Sequence, residues 1–168
     1  MFEIRRLAAA DLEQAAQVVR QGFKTVTKEF RLTMENCAVY GMFMRTERLI
    51  LDFMKGELMY GLYIDGMMAG FLQLAKNGDR VSLKKIVVLP QYRCQGYGSA
   101  LMEFAEKQAA EWGASCLALS FIEEDSRLKQ WYTHRGFLHT GVKRYNNLPF
   151  TVGTMEKSVL PVPNSLEA

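Results

Sequence analysis

The sequence predicts a mixed α/β (α+β) fold in one domain, and three observations carry that expectation. The chain is 168 residues long, the size of one typical domain. Its apolar patterns run strand, helices, three strands, helix, strand, helix, two strands, with no repeat or low-complexity linker between them. An Asp-Gly pair, Asp65-Gly66, separates two β-rich runs, and a type I′ hairpin turn needs positive φ at both central positions.

Composition narrows the class. Hydrophobic residues make up 49% of the chain and charged residues 23%, which is enough apolar mass for a core in an ordinary globular protein. The formal net charge of +3 is too small to imply nucleic acid or an anionic membrane as partner. A local basic patch for a phosphorylated small molecule fits within it. The three cysteines, Cys37, Cys94 and Cys116, are odd in number and widely spaced, so they suggest neither a disulfide framework nor a zinc site. The opening "MFEIRRLAAADLEQ" lacks the apolar stretch of a signal peptide. No run approaches the roughly 20 apolar residues of a membrane span. A soluble cytoplasmic protein without a metal is expected.

Taken in order, Met1 to Leu7 reads as a strand, and Asp11 as the N-cap of a helix that puts Leu12, Ala15, Ala16 and Val19 on one face. Residues 33–55 read as a helical region in two pieces, broken near Gly41. Its methionines and phenylalanines, from Met34 to Met54, suit core packing, because methionine fills irregular gaps. The hairpin around Asp65-Gly66 follows, then a turn at Asn77-Gly78-Asp79 and a third antiparallel strand, "RVSLKKIVVL". A helix over Ser99–Trp112 carries Leu101, Phe104, Ala105, Ala109 and Trp112 on one face and ends at Gly113. "SCLALSFI" reads as a buried strand, "SRLKQWYTHRG" as a short helix, and "FLHTGVKRY" and "FTVGTMEKSV" as the last two strands. The tail, residues 161–168, carries two prolines and little apolar mass and is expected to be loosely held.

The segment "VVLPQYRCQGYGSA" carries the chemistry. The chain leaves a strand at Pro90 and enters a helix near Gly98, with Gly96 and Gly98 permitting close backbone approach to a ligand. Amides that open a helix have no intrahelical partner and favour negative charge, and Arg93 adds a multi-donor cation. A pyrophosphate suits such a place. The pattern is not a Walker loop, which needs Gly-Lys-Ser/Thr after four residues. Nor is it a dinucleotide fingerprint, because only two glycines fit and the preceding strand belongs to an antiparallel meander.

At this point the chain resembles the GNAT family of N-acetyltransferases. Residues 88–98 contain that family's Arg-x-x-Gly-x-Gly motif after a strand and proline, and "DSRLKQWYTHRGF", residues 125–137, is similar to its helix with a tyrosine followed by Gly-Phe. The order of elements agrees over residues 1–160, which the resemblance makes an N-acetyltransferase domain. It implies a central, mixed and mostly antiparallel sheet whose fourth and fifth strands, Leu83–Leu89 and Cys116–Phe121, splay apart around the pantetheine arm of acetyl-CoA. Backbone groups of Ile86, Val87 and Val88 would pair with that arm. The pyrophosphate would meet Arg93, Cys94, Gln95, Gly96, Tyr97, Gly98 and Ser99.

The resemblance also assigns roles. Tyr132 falls at the general-acid position, where a phenol, protonated at neutral pH, can give a proton to the departing thiolate. Asp125 stands where many relatives have an asparagine that binds pantetheine, and it also suits an N-cap for the helix from Ser126. Arg135 is within plausible reach of a CoA phosphate. Some relatives take the amine's proton with a strand-four glutamate, but Lys84-Lys85 occupies that neighbourhood here. Glu123 and Glu124 are the nearest carboxylates, and Glu124 is the candidate base. His134 and His139 fit surface positions better than catalysis.

The expected activity is acetyl transfer from acetyl-CoA to a primary amine of a small molecule or protein, by direct attack in a ternary complex. A non-catalytic CoA-binding regulatory module is the alternative, and a homodimer is left open. The resemblance also implies an acceptor pocket between the helical region at about residues 20–55 and the last hairpin around Tyr145–Phe150, where Phe23, Phe30, Tyr40, Phe43 and Tyr145 would line it and favour an acceptor with an apolar part.

Overall fold

Both residues of the Asp65-Gly66 turn take positive φ, 49° and 82°, so the type I′ hairpin forms where the dipeptide predicts it. The strands it joins are β2 (Leu58–Ile64) and β3 (Met67–Asn77) of a computed structural model that describes residues 1–38 and 41–159. The tail expected to be loosely held lies outside the described residues, as does Tyr40.

The remaining elements are β1 (Phe2–Arg6), α1 (Leu12–Gly22), α2 (Lys24–Glu29), α3 (Met34–Cys37), α4 (Thr46–Met54) and β4 (Arg80–Val88). After them come α5 (Tyr97–Glu111), β5 (Cys116–Ile122), α6 (Ser126–His134), β6 (Leu138–Arg144) and β7 (Thr151–Ser158). The seven strands form one sheet in the order β1-β2-β3-β4-β5-β7-β6. Every neighbouring pair is antiparallel except β4 and β5, which run parallel and are joined through α5. This is the mixed, mostly antiparallel sheet that the sequence led us to expect.

Helices cover both faces. On one, α1 lays Leu12, Ala15, Ala16 and Val19 against Met59, Phe71 and Val87, with Leu49 of α4 beside them. On the other, Leu101, Met102, Ala105 and Ala109 of α5 pack with Leu72, Leu74, Leu117 and Met155. Each fully buried leucine or methionine contributes about 1.5–3 kcal/mol, so the two faces together supply most of the driving force. A smaller cluster of Leu32, Cys37, Ile122 and Phe150 joins the α2–α3 region to β5 and β7.

Two local expectations differ from the structure. Asp11 occupies the N-cap position of α1, as expected, but its side chain makes no capping hydrogen bond. A 3-10 turn over Ala9–Asp11 precedes the helix, and the Asp11 carboxylate accepts a hydrogen bond from the Ala8 amide (2.8 Å). Met44 is buried, but Met34 and Met54 are 57% and 75% exposed, because helices this short and this broken turn only part of each face inward.

The sheet parts at its centre. Backbone pairing of β4 with β5 runs only from Arg80↔Cys116 to Leu83↔Leu119. Directly afterwards Lys84 opposes no residue of β3, since Leu83 pairs with Leu74 and Lys85 with Gln73. One extra residue in a strand bends it and increases its twist, so this bulge carries β4 away from β5. β4 keeps β3 and leaves β5, while β5 keeps β7 through Phe121↔Gly153 and Ile122↔Val152.

The close seat of α1 on β4 depends on Gly22. A Cβ there would lie 1.9 Å from Val87 Cγ2, a short branched side chain with nowhere to swing. Gly22→Ala is therefore expected to destabilise the protein by about 1–3 kcal/mol through overpacking. At this chain length that lowers Tm by roughly 2–12 °C, readable by thermal unfolding.

Candidate active site

Beyond the last β4–β5 pair lies a cavity of about 540 Å³. Ile86, Val87, Val88 and Arg93 line it from the β4 side, Asp125 and Tyr132 from the β5–α6 side. Six residues assigned to a site on sequence grounds thus share one space. Phe23 and Gly22, at the end of α1, and Leu148 and Phe150, before β7, close it across the sheet.

Along β4 the backbone polar groups alternate between the two edges. Leu89 donates its N–H to Ala69 O of the β3 strand (2.9 Å), and Val87 O lies against Gly70 of that strand. Ile86 and Val88 therefore turn their N–H and C=O groups toward the edge β5 has vacated. Of the three residues expected to offer backbone groups, two face the cavity and Val87 faces β3. Val88 O is already engaged, accepting from Arg93 Nε (2.9 Å).

Arg93 has more structural work than its motif suggests. Besides Val88 O, its Nη2 donates to Gly22 O (2.6 Å) and its Nη1 to Thr25 Oγ1 (3.0 Å). The guanidinium thus ties the end of β4 to the junction of α1 and α2. Burial pulls its pKa below the ordinary arginine value.

The chain then turns into α5 through two residues of positive φ, Cys94 (60°) and Gly96 (88°). Gly96 occupies the N-cap position, no side chain caps the helix, and its first turn holds no acidic residue. The first backbone bond back onto the cap is Ala100 N to Gly96 O (3.0 Å), so the amides of Tyr97, Gly98 and Ser99 have no intrahelical partner. Gly98 sits over Trp131 of α6. Arg135 lies beneath this helix start, its Nη1 donating to Ser99 Oγ (2.9 Å), its guanidinium 5.2 Å from the Trp131 ring, its Nε buried with no partner among the described residues. Uncapped amides, a helix dipole and Arg135 make this turn electropositive. Cys94 and Gln95 are exposed, and Gln95 Nε2 reaches back to Gln91 O (3.3 Å).

Tyr132 is 4% exposed, framed by Phe121, Trp131 and Phe137 at centroid distances of 6.1, 5.2 and 5.6 Å. The residue lines the cavity. Burial, and secondarily the charge of Asp125, raise its pKa well above the ordinary phenol value. Asp125 is buried beside it and caps α6, its Oδ1 accepting from the Leu128 amide (3.1 Å).

Glu124 stands apart from this group. It is exposed, does not line the cavity, and both carboxylate oxygens accept from the Thr151 amide (3.0 and 3.1 Å). Burial works against its ionisation, but the Thr151 contacts win and hold the carboxyl below its ordinary value. Glu123 is engaged by Lys129 (2.6 Å) and His139 (2.9 Å). Of the expected acceptor-pocket aromatics, Phe23 lines the cavity, Phe30 and Phe43 pack in the cluster beneath it, and Tyr145 lies under Lys143 at 4.8 Å. Gly22 and Phe150 lie within the two regions expected to border the acceptor pocket, whereas Lys85 was not singled out for it, because only the packing of β4 brings it there.

The chain resembles known proteins in sequence and fold. Residues 25–137, more than half of the 168, match the acetyltransferase (GNAT) family, and the chain belongs to that family. It is 30% identical over 106 residues to an uncharacterized N-acetyltransferase in the pepI 3′ region of Lactobacillus delbrueckii subsp. lactis. That match covers 58% of this chain, and the chain spans 58% of that relative's length. It is 31% identical over 121 residues to the aminoalkylphosphonate N-acetyltransferase of Salmonella typhimurium, covering 57% of this chain and 75% of that one. Among solved structures, the PaiA N-acetyltransferase of Thermoplasma acidophilum in complex with coenzyme A shares the fold, with a TM-score of 0.76 and 22% identity over 94% of this chain and 99% of that one.

If Arg93 is the tie described above, a lysine cannot replace it, because one ammonium cannot span Val88 O, Gly22 O and Thr25 at once. Arg93→Lys is expected to cost about 2–3 kcal/mol, as charged hydrogen bonds to buried carbonyls are lost. Urea unfolding should show this as a lowered midpoint at unchanged slope.

Proposed function

We propose that the protein is an acetyl-CoA-dependent N-acetyltransferase that acetylates a primary amine by direct attack in a ternary complex. The observation that carries this reading is the parting of β4 and β5 into a cavity with Tyr132 in its lining and an uncapped helix start beside it. Bound there, acetyl-CoA supplies an acyl thioester, at which the amine nitrogen forms the new C–N bond while the C–S bond breaks and leaves a thiolate.

This chain's residues hold and polarise. The amides of Tyr97, Gly98 and Ser99, with Arg135 beneath, suit a pyrophosphate. Cys94, Gln95 and Gly96 shape the turn that presents those amides. The open-edge backbone groups of Ile86 and Val88 suit an extended arm lying where β5 would otherwise pair, with Asp125 across from them. An N–H aimed at the thioester carbonyl would stabilise the charge that develops on its oxygen. Tyr132 holds a proton at Oη for the leaving sulfur and regains one from the attacking nitrogen or solvent. Glu124 is held on the Thr151 amide, so the amine is best supplied as the free base. The name of the Salmonella relative supports including a small amine that carries an oxyanion among the acceptors tested.

A second reading, a CoA-binding module without catalysis, is favoured by the engagement of Glu124 away from the cavity. Thiol release from acetyl-CoA across a panel of amines separates the two. Release with at least one acceptor supports the enzyme, and CoA binding with no release supports the module.

Tyr132→Phe keeps the aromatic packing and removes the proton. We expect kcat to fall about 10²-fold, a typical general-acid contribution, with the Kd for CoA unchanged within twofold. Because the acid works only while protonated, and its pKa is raised above the ordinary value near 10, no loss of kcat assignable to Tyr132 should occur below about pH 10. A Tyr132→Phe enzyme with undiminished kcat would remove the role.

A further inference from the structure

We infer that the acceptor amine also carries an oxyanion, a carboxylate or phosphonate, and that the Lys85 ammonium receives it. This rests on the acetyl-transfer reading for the word acceptor, but the anion site itself is a separate claim about Lys85.

The argument begins with Gln73, a fully buried amide in the middle of β3. Its Nε2 donates to Asp52 Oδ2 of α4 (3.0 Å) and to a Glu57 carboxylate oxygen. Its Oε1 accepts from Lys85 Nζ (3.2 Å). Both carboxylates have cations of their own: Arg48 Nε lies 3.4 Å from Asp52, and Lys84 Nζ 3.8 Å from Glu57. The group therefore holds three cations against two carboxylates, and Lys85 is the cation with no ion pair among the described residues. Its one hydrogen-bond acceptor there is the neutral Gln73 amide. An ammonium has three donors, and Lys85 lines the cavity. Burying a cation this way is costly unless an anion completes it. Burial pulls its pKa below the ordinary lysine value, with Asp52 and Glu57 opposing that shift.

The rest of the wall selects the same kind of molecule. Lys84, Lys85, Arg93 and a single carboxylate, Asp125, are the charged residues lining the cavity among the described ones. Arg93 directs three of its five N–H donors to Val88 O, Gly22 O and Thr25. Phe23, Val26, Leu148, Phe150 and Val152 make much of the remaining lining apolar. A polyamine would bring further positive charge against these lysines. An amine with an apolar chain and one oxyanion suits both parts of the lining, and nearby cations favour its neutral, nucleophilic amino group.

The test is calorimetric titration of the CoA-saturated protein with L-leucine, the phosphonate analogue of leucine, L-leucinamide and spermidine. We expect at least one of the two oxyanions to bind tenfold or more tighter than the amide, and the tighter one identifies the favoured group. Lys85→Met should reduce that preference below twofold, while Lys85→Arg retains most of it and CoA affinity stays unchanged in both. If Lys85→Met fails to fold, Lys85→Gln gives the same comparison. Oxyanions that bind no tighter than the amide, or spermidine binding tightest, overturn the inference. Thiol release with acetyl-CoA is read separately: oxyanion binding without release keeps the anion site and removes the transferase reading, whereas release with neutral or polycationic amines alone does the reverse.

Discussion

β4 and β5 share hydrogen bonds only as far as Leu83↔Leu119, and the site occupies the wedge beyond that pair. Strand edges inside a protein are expensive to leave unpaired, because backbone N–H and C=O groups are obligatory hydrogen-bonding groups. The structure meets that demand in three ways. β3 takes one edge of β4, β7 takes one edge of β5, and Arg93 reaches back to Val88 O. The backbone left over, at Ile86 and at Val88 N–H, faces the cavity. The bulge at Lys84 is the local cause, since without the extra residue β4 could have run on beside β5.

The same bulge sets the charges. After Lys84 the strand resumes its alternation one residue out of step, and Lys85 comes opposite Gln73 on the face covered by α1 and α4. There it meets Asp52 and Glu57 through the Gln73 amide. A buried polar group of this kind seldom improves stability over well-packed apolar residues. Its presence beside a cavity, on the one strand that leaves its partner, links an energetic cost in the core to a property of the site.

Much of the framework was legible in the residues. Asp65-Gly66 announced a hairpin, Gly96 and Gly98 a turn into an uncapped helix, and Tyr132 followed by Gly136-Phe137 a recognisable helix. These signals are local, since positive φ and orphan amides are decided within a few residues. What was less legible has a different character. Asp11 takes the N-cap position, yet its carboxylate bonds the Ala8 amide; Met34 and Met54 read as core but are exposed; and Arg93, read as a cation for a phosphate, also bonds Val88 O, Gly22 O and Thr25. For Met34, Met54 and Arg93, what the side chain meets depends on elements far away in sequence, whereas Asp11 chose between two local amides.

Sequence by itself therefore determined the mixed α/β class, the order of elements, the turn before α5 and the family. Each is written in periodicity, glycine placement and contiguous motif, and none needs a long-range contact to be read. Tertiary structure decided that Glu124 faces Thr151 and not the cavity, that Gly22 must lack a side chain, and that Lys85 ends beside an apolar wall. The reason is physical: burial and the company of distant charges exist only after the strands have paired and parted. No stretch of sequence contains them.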